Sequence, residues 1–418
     1  MQFLKKVDKS QTLLINEQSK KLEKEGKQII KFGFGESPFP PIKTAVEALK
    51  NNALEKFYSP VQGILELREK IANFHGKVDG LNITADRVLV GAGSKILIYA
   101  VLASFKKANV FIPAPAWVSY SPQAKLCGHK AIYLQTNFEK RWRIDSKTIL
   151  EAVGKVKNNY PNILILNYPG NPDGLTYSAH ELQELALVLK KHNFIVISDE
   201  IYGLLNHKGN HTSLAKFYEN TIITTGLSKW CGAGGWRLGA LILPEALNGE
   251  FKQVLLGIAS ETYSCATTPV QLAGIKAYEP SPEFKSYIEK QRLILQRIGG
   301  YIANELQEAG IRVHQPEGGF YLFPDFSNFT KGLKKLRINN SSELCAEILK
   351  KTGVAILNGS SFNMDEKSLT ARLAYVDFDG AKLLTLSDAE ILAKNFISLN
   401  TPKIKLGVDG LKAFVGGL

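Results

Sequence analysis

Through its middle the chain alternates short unbroken apolar runs with stretches of helical period. The runs are Arg87-Val88-Leu89-Val90, Val110-Phe111-Ile112, Ile163-Leu164-Ile165-Leu166, Phe194-Ile195-Val196-Ile197, Thr221-Ile222-Ile223-Thr224 and Ala240-Leu241-Ile242-Leu243. Helical patterns lie between them, as over Lys95 to Phe105 and residues 179 to 191. Strands that are apolar at every position are buried on both faces, so the pattern predicts a mostly parallel sheet covered by helices. Pro113 is expected to end the second run and Asn167-Tyr168-Pro169 the third. Sheets of this kind bind ligands at the carboxyl ends of their strands.

The flanks read differently. Residues 10 to 30 carry a helical pattern with a stop at Gly26, and Ile29-Ile30-Lys31-Phe32 reads as a short strand before the turn Gly33-Phe34-Gly35-Glu36-Ser37-Pro38. Leu65, Leu67, Ile71 and Phe74 suit an amphipathic helix. After about residue 282 a long charged helix, Glu283 to Glu308, leads into Gly318-Gly319-Phe320-Tyr321, then helix-like Ser342 to Lys351 and strand-like Ala371 to Tyr375. At 418 residues the chain exceeds the size at which one core keeps growing. Two units are therefore expected: a large one over 46–282, and a smaller α/β one over 283–418 on which residues 1–45 pack.

Composition narrows the partners. The chain is 44% hydrophobic and 22% charged, ordinary for a globular protein. Its formal charge of +13 is spread over pairs such as Lys5-Lys6, Lys20-Lys21 and Lys190-Lys191, with no long basic run and no nucleic-acid-binding motif. A solvated basic surface that attracts small anions is expected, rather than nucleic acid or membrane as partner. Cys127, Cys231, Cys265 and Cys345 show neither a CxxC pair nor zinc spacing, so reduced thiols and no metal are expected. The opening residues lack the apolar core of a signal peptide, and no uncharged apolar run has membrane-spanning length. These features point to a cytoplasmic location.

The candidate chemistry centres on Ser228-Lys229-Trp230-Cys231-Gly232-Ala233-Gly234-Gly235-Trp236-Arg237. A lysine can condense with an aldehyde, and a serine with an arginine can hold a phosphate. Pyridoxal 5'-phosphate carries both groups on one ring. Asp199 follows the Phe194–Ile197 run, where a carboxylate can keep a pyridine nitrogen protonated. Tyr202, three residues on, can reach a ring hydroxyl, although Asp-x-x-Tyr is also a common capping pair. Asn171 stands on the rigid turn Asn167-Tyr168-Pro169-Gly170-Asn171-Pro172-Asp173-Gly174. Gly91-Ala92-Gly93-Ser94-Lys95 joins a strand to a helix whose first amides suit a phosphate, yet it is neither a dinucleotide fingerprint nor a P-loop. Trp117 can stack on a flat ring or serve the core. Arg372 offers a fork for a carboxylate.

In this order along nearly the whole chain, these motifs resemble the class I/II aminotransferase family, pyridoxal-phosphate enzymes of fold type I. The resemblance implies a three-layer α/β fold with a mostly parallel sheet and a smaller α/β domain built from both termini. It implies that Lys229 holds the cofactor aldehyde and moves the substrate α-proton, with Asp199 on the pyridine nitrogen and Asn171 and Tyr202 on the ring oxygen. Gly93, Ser94, Lys95, Ser228 and Arg237 would surround the phosphate, with Trp117 stacked on the ring. Arg372 would bind the substrate α-carboxylate beside Gly35 and Asn171. Tyr58 would reach the phosphate of a neighbouring copy, which implies a homodimer. The chain departs from the family pattern at Asp173, where threonine is usual, at Ser37 before Pro38, and in the glycine-rich loop after Lys229.

Ping-pong transfer of an amino group between an L-amino acid and a 2-oxo acid follows from the resemblance. The resemblance, nearest to the family's aspartate-using branch, implies that Lys95, with Ser10 or Thr12, reads an acidic substrate such as aspartate with 2-oxoglutarate. Trp117, Tyr120 and Phe34 equally suit an aromatic or broad donor. Two alternatives use the same scaffold: a pyridoxal-phosphate-dependent lyase or synthase, such as a β-C–S lyase, and a non-catalytic ligand sensor.

Overall fold

The computed structural model describes the backbone of residues 11–418 and the side chains of residues 15, 17 and 19–418. Among the described residues the strands are, in chain order, β1 (Ile30–Lys31), β2 (Val88–Gly91), β3 (Asn109–Ala114), β4 (Lys130–Gln135), β5 (Asn162–Asn167), β6 (Ile195–Asp199), β7 (Thr221–Gly226), β8 (Gly239–Ile242), β9 (Tyr321–Leu322), β10 (Val354–Ala355), β11 (Leu357–Asn358) and β12 (Ala371–Ala374). Seven of them form one sheet in the order β2-β8-β7-β6-β5-β3-β4. Only β8 runs against its neighbours β2 and β7. The other pairs are parallel, as the apolar runs require.

The unbroken runs have a simple cause. Successive side chains of a strand point to opposite faces. Val110, Ile112, Ile163, Ile165 and Ile197 enter one core with Leu97 and Val101 of the helix Ser94–Ala103. Phe111, Leu164, Leu166 and Val196 enter another with Leu182, Leu185 and Leu189 of the helix Ala179–Lys191. Both faces are dry, and the three layers follow. The helix Ala179–Lys191 starts on a reciprocal capping box between Ser178 and Glu181.

Two small sheets are built from the first and last thirds of the chain. β11, β12 and β9 form one, and β1 pairs in parallel with β10, Ile30 opposite Val354. A third core joins Phe74, Trp230 and Tyr278 to Ile294, Ile298, Ile348 and Val408, tying the long helix Pro282–Glu308 against the first part of the chain.

Several expectations need correction. β3 does not stop at Pro113 but continues through it to Ala114. Its ladder to β5 ends at Phe111, so Pro113 falls where β3 is paired only with β4 and tolerates a missing amide. β4 was not expected at all. It is an edge strand in which only Leu134 is buried, so it lacks an apolar run. The first helix ends at Lys24, and Gly26 adopts a positive φ of 83° in the turn after it. β12 is buried at every position, including Arg372.

Candidate active site

The carboxyl ends of β5, β6 and β7, with the start of the helix after β2, open on one cavity of about 680 Å³. Lys95, Lys229, Arg237 and Arg372 line it, against the carboxylates of Glu36 and Asp199. Ser94, Trp117, Asn171, Tyr202, Ser228 and Gly35 line it too. Chain turns at strand ends thus gather almost the whole expected set.

Lys229 lies just past β7, and its Nζ donates to the Gly35 carbonyl at 2.9 Å. Its ammonium also faces the Tyr202 ring at 5.5 Å and the Phe320 ring at 5.6 Å. Asp199 ends β6 and is 3% exposed. Its Oδ2 accepts from the Tyr120 hydroxyl at 2.6 Å and its Oδ1 from Thr224 Oγ1 at 3.2 Å. Burial pushes this carboxyl up to about 6, against the downward pull of those donors. A buried carboxylate whose closest partners are neutral hydroxyls suits a ligand cation such as a protonated ring nitrogen.

The turn after β5 is held from behind. Asn167 Oδ1 accepts from the Asn171 amide at 2.8 Å, and Asn167 Nδ2 donates to the Asp199 carbonyl at 2.7 Å. This bridge fixes the two strand ends relative to each other. Asn171 Oδ1 accepts from Arg372 Nη1 at 3.2 Å, and Arg372 Nη2 donates to the Gly33 carbonyl at 2.6 Å. Arg372 is buried, its Nε has no partner among the described residues, and its guanidinium lies 4.9 Å from the centre of the Tyr321 ring. Burial lowers its pKa, the Tyr321 and Tyr202 hydroxyls acting the other way.

The phosphate-binding expectation also has a physical test. A Cβ on Gly93 would collide with the Arg237 guanidinium, and one on Gly239 with the amide of Ser94. These glycines therefore let Arg237 rest against the first turn of the helix Ser94–Ala103, whose leading amides lack helical partners. Arg237 holds a left-handed φ of 59°, and its Nη1 donates to Gly234. An arginine, a serine and a helix start converge there, a donor set that suits a phosphate group. Gly232, in the glycine-rich loop, has φ 65°, and any Cβ there would strike the Phe39 carbonyl.

Lys95 stands 5.0 Å over the Trp117 ring. Burial lowers its pKa, helped by the charges of Arg237 and Lys229. Among the described residues it has no carboxylate partner. Ser10 and the Thr12 side chain lie outside the described residues. Tyr58 is not brought to this cavity: it is 90% exposed, next to half-exposed Phe57.

Sequence reasoning missed four residues that shape the site. Tyr120, read as a substrate-facing aromatic, is fully buried and bonded to Asp199. Tyr321 touches Tyr202, Gly35 and Arg372. Asn167 and Thr224 hold Asn171 and Asp199. The usable signals were the three-residue step from Trp117 to Tyr120 and the Gly318-Gly319-Phe320-Tyr321 turn. Asp173 is likewise explained, as it forms a buried ion pair with Arg143, which lies over the Tyr177 ring at 4.9 Å.

A three-layer α/β fold with a buried acid, a lysine and a phosphate-ready helix start around one cavity defines the class as a fold type I transferase. Comparison with known proteins is specific. The chain matches the aminotransferase class I and II family over residues 27–377. It is 31% identical over 416 residues to a bifunctional aspartate aminotransferase and glutamate/aspartate-prephenate aminotransferase of Petunia hybrida, covering 95% of this chain and 82% of that one. It is 28% identical over 393 residues to an asparagine–oxo-acid transaminase of Streptococcus mutans, covering 92% and 95%. Among solved structures, an aspartate aminotransferase of Thermotoga maritima superposes with a TM-score of 0.80 at 25% identity, covering 98% of each chain. One from Thermus thermophilus, with maleate, gives 0.83 at 22% identity, covering 97% of each. The chain belongs to the class I and II aminotransferase family, and it is an enzyme that transfers amino groups.

Proposed function

We propose that this aminotransferase works with pyridoxal 5'-phosphate and moves the amino group of an acidic L-amino acid, aspartate above all, to a 2-oxo acid such as 2-oxoglutarate. The observation that carries this reading is the placement of Lys229 in one cavity with buried Asp199, the Arg237 helix start and the buried Arg372 fork. Bound there, the cofactor supplies an aldehyde carbon that carries the amino group and a ring that draws the electron pair from the substrate α-carbon.

The chain's own residues do the rest. Asp199, ionised and held by Tyr120 and Thr224, fixes a proton on the ring nitrogen. Ser94, Ser228 and Arg237 hold the phosphate, with Gly93 giving Arg237 room. Trp117 would stack on the ring, while Asn171 and Tyr202 would serve its oxygen. Arg372 turns its fork from Asn171 and Gly33 to the α-carboxylate. Lys229 Nζ, once freed, would take and hold the substrate α-proton as a positioned base.

Lys95 supports an acidic substrate, as a cation over Trp117 with a lowered pKa and no carboxylate partner among the described residues gains from a second substrate carboxylate. The names of the relatives, aspartate and asparagine transaminases, agree with that choice. We also propose a homodimer in which exposed Tyr58, beside Phe57 and Leu54, completes the phosphate site of a second copy. The division into 1–45, 46–282 and 283–418 is supported by the pairing of β1 with β10. A cytoplasmic location is supported by the wide spacing of the four cysteines, which form no CxxC pair. Among the described residues, no helix is long and apolar enough to cross a membrane.

The test is direct. Purified protein with pyridoxal phosphate, L-aspartate and 2-oxoglutarate should yield oxaloacetate and glutamate, with kcat/KM for aspartate at least about tenfold above that for alanine. No glutamate from aspartate, together with release of thiol, ammonia and pyruvate from a cysteine S-conjugate, would contradict the reading.

A further inference from the structure

We propose that Tyr321 is a positioning residue for Tyr202, its hydroxyl switching between the Gly35 carbonyl and the Tyr202 oxygen. The proposal rests on the reading that Tyr202 donates to the ring oxygen of bound pyridoxal phosphate.

Tyr321 lies on β9 opposite Ala374 and is fully buried. Its hydroxyl is 2.9 Å from that of Tyr202 and 3.4 Å from the Gly35 carbonyl oxygen. The two tyrosine rings meet edge to face at 5.6 Å, and Arg372 covers the Tyr321 ring at 4.9 Å. The hydroxyl therefore has little freedom except rotation of its proton. A Cβ on Gly35 would collide with this same hydroxyl, so the glycine there is required by Tyr321. Gly35 is also the acceptor of the Lys229 ammonium. One carbonyl and one phenol thus join the lysine, the carboxylate-binding arginine and Tyr202.

A phenol has one proton and two lone pairs. If the Tyr202 proton points to Tyr321, the Tyr321 proton is free for Gly35. Once Tyr202 donates its hydrogen bond to an anionic ring oxygen, keeping its proton, it offers Tyr321 only lone pairs. The Tyr321 proton then turns to Tyr202, the nearer of its two partners. A donor to Tyr202 polarises its O–H and strengthens the bond onward, the more so in a dry site. Burial pushes the Tyr202 hydroxyl well above its ordinary pKa, so it serves as a proton-bearing donor and not as an anion.

The visible absorbance of the cofactor-loaded protein, titrated with pH and without substrate, reads the charge at the ring oxygen. Tyr321→Phe retains the ring under Arg372 and removes only the hydroxyl. It should raise the pH midpoint of the colour change by about half a unit to one unit, because the deprotonated state loses support. In a Tyr202→Phe background the same substitution should add no further shift. KM for the amino acid should change less than about twofold, since Arg372 keeps its stacking partner, while kcat falls several-fold. Gly35→Ala, which pushes the Tyr321 hydroxyl aside, should move the midpoint in the same direction and serves if Tyr321→Phe does not fold. An unchanged midpoint in either folded variant, or a full shift in the Tyr202→Phe background, overturns the proposal. A wild-type protein with no visible band at all overturns the cofactor reading instead, and the two failures are distinct.

Discussion

The Tyr120 hydroxyl lies 2.6 Å from Asp199 Oδ2, and both groups are buried. Its proton pulls the Asp199 carboxyl down against burial, keeping it available as an anion to a ring cation. Tyr120→Phe should raise the Asp199 pKa further and weaken retention of pyridoxal phosphate about tenfold at pH 6.5, with a smaller loss at pH 8.5. Equilibrium dialysis at the two pH values checks this, and equal affinities for the two proteins would rule out the role.

Asp199 and His207 set opposing pH dependences in the cofactor-free protein. Burial raises Asp199 to about 6 from 3.8, so its contribution to stability is present below pH 4 and lost as pH rises through 6. Burial lowers His207 to about 4 from 6.5, so its contribution is present above pH 6.5 and lost as pH falls toward 4. Between pH 4.5 and 6.5 each changes stability by about 2 kcal/mol, in opposite senses. Relative to wild type, Asp199→Asn should gain that much on going from pH 4.5 to 6.5, and His207→Gln should lose it. Urea unfolding of the three apo-proteins at both pH values gives the comparison.

Removing the Lys95 charge should act on one substrate class. Lys95→Ala is expected to raise KM for aspartate about thirtyfold while leaving alanine within about threefold. Equal losses for both amino acids would assign Lys95 to the cofactor alone.

Asp173 occupies the place where the family pattern has threonine, and it pairs with Arg143 out of solvent. Asp173→Thr would leave a buried guanidinium without its counter-ion and should cost about 3–5 kcal/mol of stability. Thermal unfolding would show this, and Arg143→Met with Asp173→Thr should recover much of the loss.

What the sequence revealed, and what it hid, follows from range. Lys229, Asp199, Asn171 and Ser94 sit at strand ends or helix starts, which local apolar runs and turn residues mark directly. The contacts that tune them are not local. Tyr120 meets Asp199 across 79 positions, Tyr202 meets Tyr321 across 119, and Arg372 meets Asn171 across 201. No periodicity encodes such pairs. The sheet itself was legible where both faces are dry, and illegible at β4, whose edge position leaves most of its side chains wet. Pro113 misled for a related reason, since a proline limits a strand only where a neighbour needs its amide.

The central claim is a covalent bond between one lysine and an aldehyde. Protein loaded with pyridoxal phosphate, reduced with borohydride and mapped by peptide mass spectrometry, should carry the label on Lys229, and Lys229→Ala should carry none. A label on another lysine, or an unlabelled protein that still transfers amino groups, would contradict the account.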